Sequence, residues 1–345
     1  MGISIQGSPS YKITVGTLSF TDEENQIVRS IVVEDHVDMA GFCQIMFDAS
    51  TDQGKVEVKI GDPVDVQLKT TELSVFKGEV ISVDHSFQNT GTTTKIIRCI
   101  DHIHRLNRGR KTRFWNDKKD SDVASEVGGE CGLSVESDPT QETHPYIIQR
   151  NESNVAFLKR LAARNNFQLR VEQDKLYFKE ASFNATAVDL EVGDDILSLN
   201  MSYNSSNMVQ KVIVQGWSIK DKKEIIGQSA AGEVTKIGGG KIGAEQASVF
   251  GESVAYITDV PVSSQEVANK IAKAEMERIA RQYANGKCVV RGENTIRAGS
   301  VVNFKGFVKG LNGKFYVISS RHLINPSTGY TTEFKFCSNT EAENE

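Results

Sequence analysis

The chain has 345 residues and a formal net charge of −5, with a pI near 5.8, which argues against a protein held on nucleic acid by its overall charge. Hydrophobic residues make up 39% and charged residues 25%, the balance of a globular chain of about two domains. No apolar run approaches the roughly 18 residues of a membrane span, and residues 1–10 lack the basic start and apolar core of a signal peptide. Gln6 also stands where a myristoylation motif needs Ser or Thr. The five cysteines are scattered, with no C-x-x-C pair, and read as buried reduced thiols.

Residues 11–60 alternate as half-buried strands do: Tyr11–Val15, Ile27–Val33 and Phe42–Phe47, followed by a polar turn at 48–54. The basic run Arg105–Trp115 combines cations with aromatics, a pattern that can bind single-stranded nucleic acid, but it reads better as a solvated linker. Asp120, Ser121 and Asp122 are placed to cap a helix running to Cys131, with Gly132 to end it. Tyr146–Gln149 is a short strand. A helix over 151–165, capped by Asn151 or Ser153, sets Phe157, Leu158, Leu161 and Ala162 on one face. Gln168–Glu172 and Lys175–Lys179 are strands joined across Gln173 and Asp174. Ile196–Tyr203 and Val209–Trp217 are strands again, and 227–246 is rich in Gly, Ala and Ser. The last helix is expected over Ser263–Tyr283, with Ser263 and Glu266 as a capping box, an apolar stripe of Ala272, Met276, Ile279 and Tyr283, and Gly286 as its stop. The tail Ser338–Glu345 is expected to fray.

One stretch occurs twice. Val80, Ile81, Ser82 and His85, then Gly91, Thr93, Thr94 and Cys99, are matched by Val317, Ile318, Ser319 and His322, then Gly329, Thr331, Thr332 and Cys337. Upstream of each lies a similar strand, Gly61–Val66 and Gly299–Phe304. Equal order and near-equal spacing favour a duplicated β-unit.

Catalytic and ligand motifs fare poorly. Gly238–Gly243 fits G-x-G-x-x-G, but no buried strand precedes it and no clear helix follows, so a flexible loop is expected and no cofactor is assigned. Asp84, His85 and Ser86 are neighbours on a strand and point to opposite faces, so they cannot converge as a triad. Cys99, His102 and His104 could offer metal ligands, with the two histidines on one strand face, but no fourth ligand is apparent. No carboxylate pair is singled out for glycoside hydrolysis. No catalytic, cofactor or metal residue is assigned. The repeated histidines and threonines read as architecture.

Trp115, Lys118–Asp122, Gly132, Leu133, Tyr146–Ser153, Phe157, Leu158, Arg160, Leu161 and Ala162 occur in an order that resembles the phage late-control D family. That family includes baseplate hubs of contractile tails and the hub part of type VI secretion spike proteins. Ala298–Val302, Gly313–Val317, His322 and Gly329–Phe334 share the resemblance, while Asn154 and Asn166 stand where Asp and Gly are usual in it. The resemblance implies an α+β, β-rich fold: two similar antiparallel β-barrel (tube) domains with two α/β insertions. The expected division is 1–103 as the first tube domain, 104–195 as an α+β insertion, 196–219 with 287–340 as the second tube domain, 220–286 as a helical insertion, and 341–345 as an acidic tail. It implies a non-enzymatic homotrimeric hub that joins a hexameric tail tube to a separate trimeric spike among other baseplate proteins. Such a hub is assembled in the bacterial cytoplasm and ends in a virion tail or extracellular injection particle. Membrane and sequence-specific nucleic acid are not expected partners. A cell-wall hydrolase and a carbohydrate-binding β-module are the competing expectations.

Overall fold

The computed structural model describes residues 10–22, 27–50, 56–68, 73–89, 91–172, 175–218, 221–307, 310–325 and 329–342. Most of the turn expected at 48–54, the Gln173–Asp174 connection and the last three acidic-tail residues lie outside these. The chain opens with β1 (Tyr11–Val15), β2 (Leu18–Thr21), β3 (Val28–His36), β4 (Met39–Asp48), β5 (Pro63–Leu68), β6 (Leu73–Phe87) and β7 (Thr93–Ile100). The first insertion holds α1 (Ile103–Leu106), β8 (Lys111–Lys119), α2 (Asp120–Glu130), β9 (Ser134–Ser137), β10 (Thr143–Glu152), α3 (Asn154–Arg164), β11 (Phe167–Glu172) and β12 (Lys175–Glu180). Then come β13 (Val188–Glu191), β14 (Ile196–Tyr203), β15 (Lys211–Ser218), β16 (Lys223–Ala230), α4 (Gly243–Gln246), β17 (Val254–Ile257) and α5 (Gln265–Ala280). The chain closes with β18 (Ala284–Arg291), β19 (Val301–Lys305), β20 (Gly313–Asn325) and β21 (Gly329–Ser338).

The fold is β-rich α+β, with two similar antiparallel β-units, barrel-like in their curl, and two α/β insertions. One 13-stranded sheet runs β14-β18-β21-β20-β3-β4-β7-β6-β5-β1-β2, with β19 on β20 and β13 on β19. The two units are thus one continuous sheet, joined where β20 pairs with β3. Alternation drives the strands: in β4, Cys43, Ile45 and Phe47 are buried between half-exposed neighbours. Each unit has its own core. Ile13, Ile31, Ile45, Phe47 and Ile97 meet in the first. Phe304, Phe315, Phe334 and Phe336 meet in the second. Each fully buried aromatic or branched side chain contributes about 1.5–3 kcal/mol.

The insertions differ. The first has a core of its own, built on Trp115, Phe157, Leu161 and Phe178. The second shares the core of the second β-unit, because Ala272, Met276 and Ile279 of α5 belong to the same buried cluster as Phe315 and Phe334. The strand expected over Val209–Trp217 therefore does not sit with the second β-unit. It is β15, the centre of a separate β16-β15-β17 sheet that α5 covers, so the second insertion is not purely helical.

Several local expectations are corrected. The last helix is capped by Ser264, which accepts from Val267 N, not by Ser263. It ends before Arg281, and Gly286 lies inside β18, where a Cβ would meet Asn200 O and the Phe336 ring. Asp120 does not cap α2: it faces Arg164 and Asn165 instead. The basic run is no loose linker. Lys111–Lys119 is a strand paired with β10, Arg113 holds Glu130 and stacks over the buried Trp115 ring, and of the two aromatics only Phe114 faces outward. The glycine run at 238–243 is packed, not flexible. A Cβ on Gly238 would meet Thr340, one on Gly240 the backbone of Glu341, and one on Gly243 the Tyr283 ring. Those contacts also hold the tail. Asn339 bonds Ile237 N and Thr235 O, and Ser338, Asn339 and Thr340 are buried instead of frayed.

Candidate functional site

The repeated unit is where the sequence placed its weight, and its geometry repeats at the backbone. Gly61 N bonds Val80 O at 2.8 Å, and Gly299 N bonds Val317 O at 2.9 Å. Val80 N returns to Asp62 O at 3.0 Å, and Val317 N to Ser300 O at 2.9 Å. Gly61 and Gly299 carry φ of +94° and +92°, a conformation that costs glycine little and other residues strain. Both hairpins bulge at the same step, Val80/Ser82 and Val317/Ser319. The equivalent first strands also bulge alike, at Val28/Ser30 in β3 and Ile196/Ser198 in β14. Five strands of one unit, β3-β4-β7-β6-β5, thus correspond to β14-β18-β21-β20-β19 of the other.

The letters of the repeat do not all fall at corresponding places. Val80, Ser82 and His85 lie at the positions of Val317, Ser319 and His322. Beyond the hairpin the match slips by one. Cys99 lies opposite Val80, whereas Phe336 lies opposite Val317. Lys95 faces His85 while Thr332 faces His322, and Thr94 corresponds to Thr331. Thr93 corresponds to Tyr330, and Gly91 and Gly329 both take positive φ, but one step apart. A one-residue slip turns a side chain to the other face. Cys99 therefore lines the first core, and Cys337 lies on the far side beside Tyr316 and Val301. The alternation carried the signal: matching the cysteines puts exposed Lys335 in the place of buried Ile97.

The two histidines also differ. His85 is exposed. His322 is fully buried, with Nε2 3.1 Å from Ser320 Oγ and Nδ1 2.9 Å from the Tyr330 hydroxyl. Ser320 Oγ in turn donates to Asp35, which also accepts from Arg297 Nε at 2.6 Å and from the amides of Ala298 and Ser320. Asp35 comes from β3 and the others from the second unit, so this polar chain spans the β3–β20 seam. Burial pushes the Asp35 carboxyl upward, but the charge of Arg297 and the Ser320 hydroxyl outweigh it and hold it below the usual range. Burial, then the Arg297 charge, lowers His322 to about 4, so it is neutral at pH 7. In a nucleophilic triad the imidazole stands between serine and carboxylate. Here the serine stands in the middle, and the polar chain pins β3 to β20.

The other chemical candidates disperse. Asp84 pairs with Arg98, and His85 points away from it. His102 and His104 are not on a strand: β7 ends at Ile100, and His104 lies in α1. His104 Nε2 is 2.7 Å from Glu79 Oε2, and Arg105 binds the same carboxylate, lowering it to about 2. That guanidinium opposes a cation there, and Cys99 is inside the core. Among the described residues no group of three His, Cys, Asp or Glu side chains could hold a metal ion. Asp101 is buried, its carboxyl accepting from Gly41 N at 2.5 Å and Ile103 N at 2.9 Å, and burial raises it to about 7. Among the described residues no helix is long and apolar enough to cross a membrane.

Sequence reasoning missed a cavity of about 890 Å³ between the insertions, lined by Tyr146, Ile148, Phe167, Val260, Ile271 and Arg278 among others. Its one signal was Tyr146, Ile147 and Ile148 in succession, an apolar run on a strand of a two-stranded sheet. Ile147 turns inward while Tyr146 stacks on exposed Phe114, ring centroids 5.5 Å apart.

A continuous sheet of two like units, with insertions packed around it, is also the fold of phage tail proteins. The chain is similar to the 43 kDa tail protein of prophage MuSo2 from Shewanella oneidensis, with a TM-score of 0.73 at 16% identity over 95% of this chain and 98% of that one. The tail protein from Neisseria meningitidis MC58 gives 0.72 at 12% identity, covering 96% and 97%. The E. coli c3393 protein, a type VI secretion component described as structurally similar to T4 tail proteins gp27 and gp5, gives 0.65 at 11%, covering 97% and 78%. At these identities the likeness is one of fold. The chain belongs to the family described as the Alg8 N-terminal domain, whose model matches residues 10–326. Among curated protein sequences none matches it significantly.

Proposed function

We propose that this protein is the structural, non-enzymatic hub of a contractile injection machine: a phage tail, a tailocin or an extracellular injection particle. In this reading three chains form a ring. Each gives two like β-units, so the ring offers six similar seats to a hexameric tail tube and threefold symmetry to a separate trimeric spike. Residues 1–103 would be the first tube domain, and 196–203 with 284–340 the second. The observation that carries the reading is the repeated backbone of the two units, from the Gly61 and Gly299 turns to the paired bulges. The shared fold of tail proteins supports it. The test is mass measurement and electron microscopy of the purified chain, alone and with the tube and spike proteins of its own operon. A ring of three chains is expected. A chain that stays monomeric with both partners present would sink the hub.

A further inference from the structure

Strand β20 serves two neighbours along one edge. Residues 313–316 pair with β19, and 319–324 pair with β3. Its counterpart β6 pairs with β5 along 73–79, and along Ser82–Phe87 its one strand partner among the described residues is β7. The counterpart of β3 is β14, whose named strand partner is β18 alone. The chain therefore holds a seam made by β3 and β20, and it leaves the two strands of a like second seam apart, with β14 at one end of its sheet and β6 inside the other end, where β5, β1 and β2 lie beyond it.

We infer that β14 of one copy pairs antiparallel with Ser82–Phe87 of β6 in the next copy, in the register that β3 and β20 already use. The inference rests on the three-chain reading above and names its interface. Register and hydrogen-bond polarity both fit. Val37 N donates to Ile318 O, so Ile31, Val33 and Asp35 are the residues of β3 that turn their backbone groups to β20. Gln88 N donates to Thr92 O, which turns the alternate residues Val83, His85 and Phe87 outward from β7. Asn204 N donates to Tyr283 O, which turns Leu199, Met201 and Tyr203 outward from β18. Carrying the β3–β20 register across sets Tyr203 opposite Val83, Met201 opposite His85 and Leu199 opposite Phe87.

Exposure supports the same place independently. Phe87 is 74% exposed while its counterpart Ile324 is 0%. Ile60 is 73% exposed while its counterpart Ala298 is 6%. On the other edge Leu197 and Tyr203 are the exposed apolar residues. The pin is not duplicated. Tyr203 stands where Asp35 does, and Lys59 where Arg297 does, so the second seam is made of main-chain hydrogen bonds and apolar side chains. Each copy donates β14 and accepts on β6, a head-to-tail contact that closes on itself in a ring and leaves no open edge there.

His85→Pro and Met201→Pro test it, because each removes an N–H that points away from the chain's own ladder, where proline is tolerated. Both variants should keep the parent's thermal midpoint and lose the three-chain species in sedimentation. A covalent test adds Asp84→Cys with Ser202→Cys in a Cys131→Ser background. These residues would face each other as a non-hydrogen-bonded pair at about 4.5 Å between Cα atoms, a span a disulfide accepts. Diamide takes two electrons and two protons from the two thiols as the bond forms. Cross-linked dimers and closed trimers are expected, and Ser86→Cys with Ser202→Cys, slipped by two residues, should give neither. If the parent and both proline variants assemble alike and 84 fails to cross-link to 202, the strand seam is wrong and the ring stands. If the parent is monomeric at every concentration, alone and with its tube and spike proteins, and never cross-links, both fall.

Discussion

Strands β6 and β20 begin alike, with a glycine turn, a bulge and a histidine, and end in different surroundings. Ser319–Ile324 is covered by β3, and there His322 is buried in a polar chain that reaches Asp35 and Arg297. Among the described residues Ser82–Phe87 has no such neighbour, and His85 and Phe87 are exposed. The backbone device is common to both copies, and the side chains have diverged according to what covers them. An ion pair drawn partly out of water leaves uncompensated charge whenever its partners separate. It is found at the seam whose two strands belong to one chain.

The contrast between the seams is most exposed to test at the part-buried ion pair of Asp35 and Arg297. Asp35→Ala strips Arg297 and the Ser320 hydroxyl of their shared carboxylate, and should cost about 3 kcal/mol in denaturant unfolding. The counterpart Tyr203→Ala removes no buried charge and should cost far less in the isolated chain. Equal losses would show that the pin does not distinguish the seams. Ile324→Ala comes next, with a loss of about 2–5 kcal/mol, against Phe87→Ala within about 0.5 kcal/mol for the isolated monomer. If Phe87→Ala were as damaging, Phe87 would be part of the monomer's core and the difference between the two edges would vanish.

Acid titration separates the units by sign. Asp101, at the end of the first unit, is raised from 3.8 to about 7 by burial. The folded chain then binds more protons than the unfolded chain between those values, and stability falls as pH rises through them. His322, in the second unit, is lowered from 6.5 to about 4. There the unfolded chain binds more protons, and stability rises with pH from 4 to 6.5. Each pKa unit is worth about 1.4 kcal/mol, so the two contributions largely offset each other in the parent between pH 4.5 and 6.5. His322→Gln should unmask a thermal midpoint that falls with rising pH. Asp101→Asn should unmask one that rises. Parallel slopes in the two variants would rule out this assignment.

Much of the fold was legible because strands and helices with one apolar face announce themselves. The face of α3 carries Phe157, Leu158, Leu161 and Ala162 in the core as its spacing required, and Ser153 caps it. Pairing partners were less legible. Nothing local to Lys211–Ser218 tells that α5, some fifty residues on, draws it into a separate sheet. The glycines of 238–243 look like a mobile loop until Tyr283 and the 340–341 backbone are seen against them. The repeat was visible, but letter matching favoured Cys337 over Phe336. Only the burial alternation of β21 settles which residue faces inward. The polar seam was out of reach, because Asp35 meets Arg297 across 262 positions of sequence.

The smallest effect tests whether the two turns are one device. Gly61 and Gly299 share their φ, and each donates to the carbonyl of the matching valine. A Cβ on Gly61 would meet nothing within 4 Å, and one on Gly299 would meet only the Tyr316 hydroxyl at 3.5 Å and Arg170 at 3.9 Å. Neither site penalises alanine by collision, so the cost at both is backbone strain, about 1–3 kcal/mol. Gly61→Ala and Gly299→Ala should therefore lower stability by similar amounts and add without coupling, because the turns share no partner. A large loss at one and none at the other would mean that the common backbone hides two different roles, and that the six seats of the proposed ring are less alike than their strands.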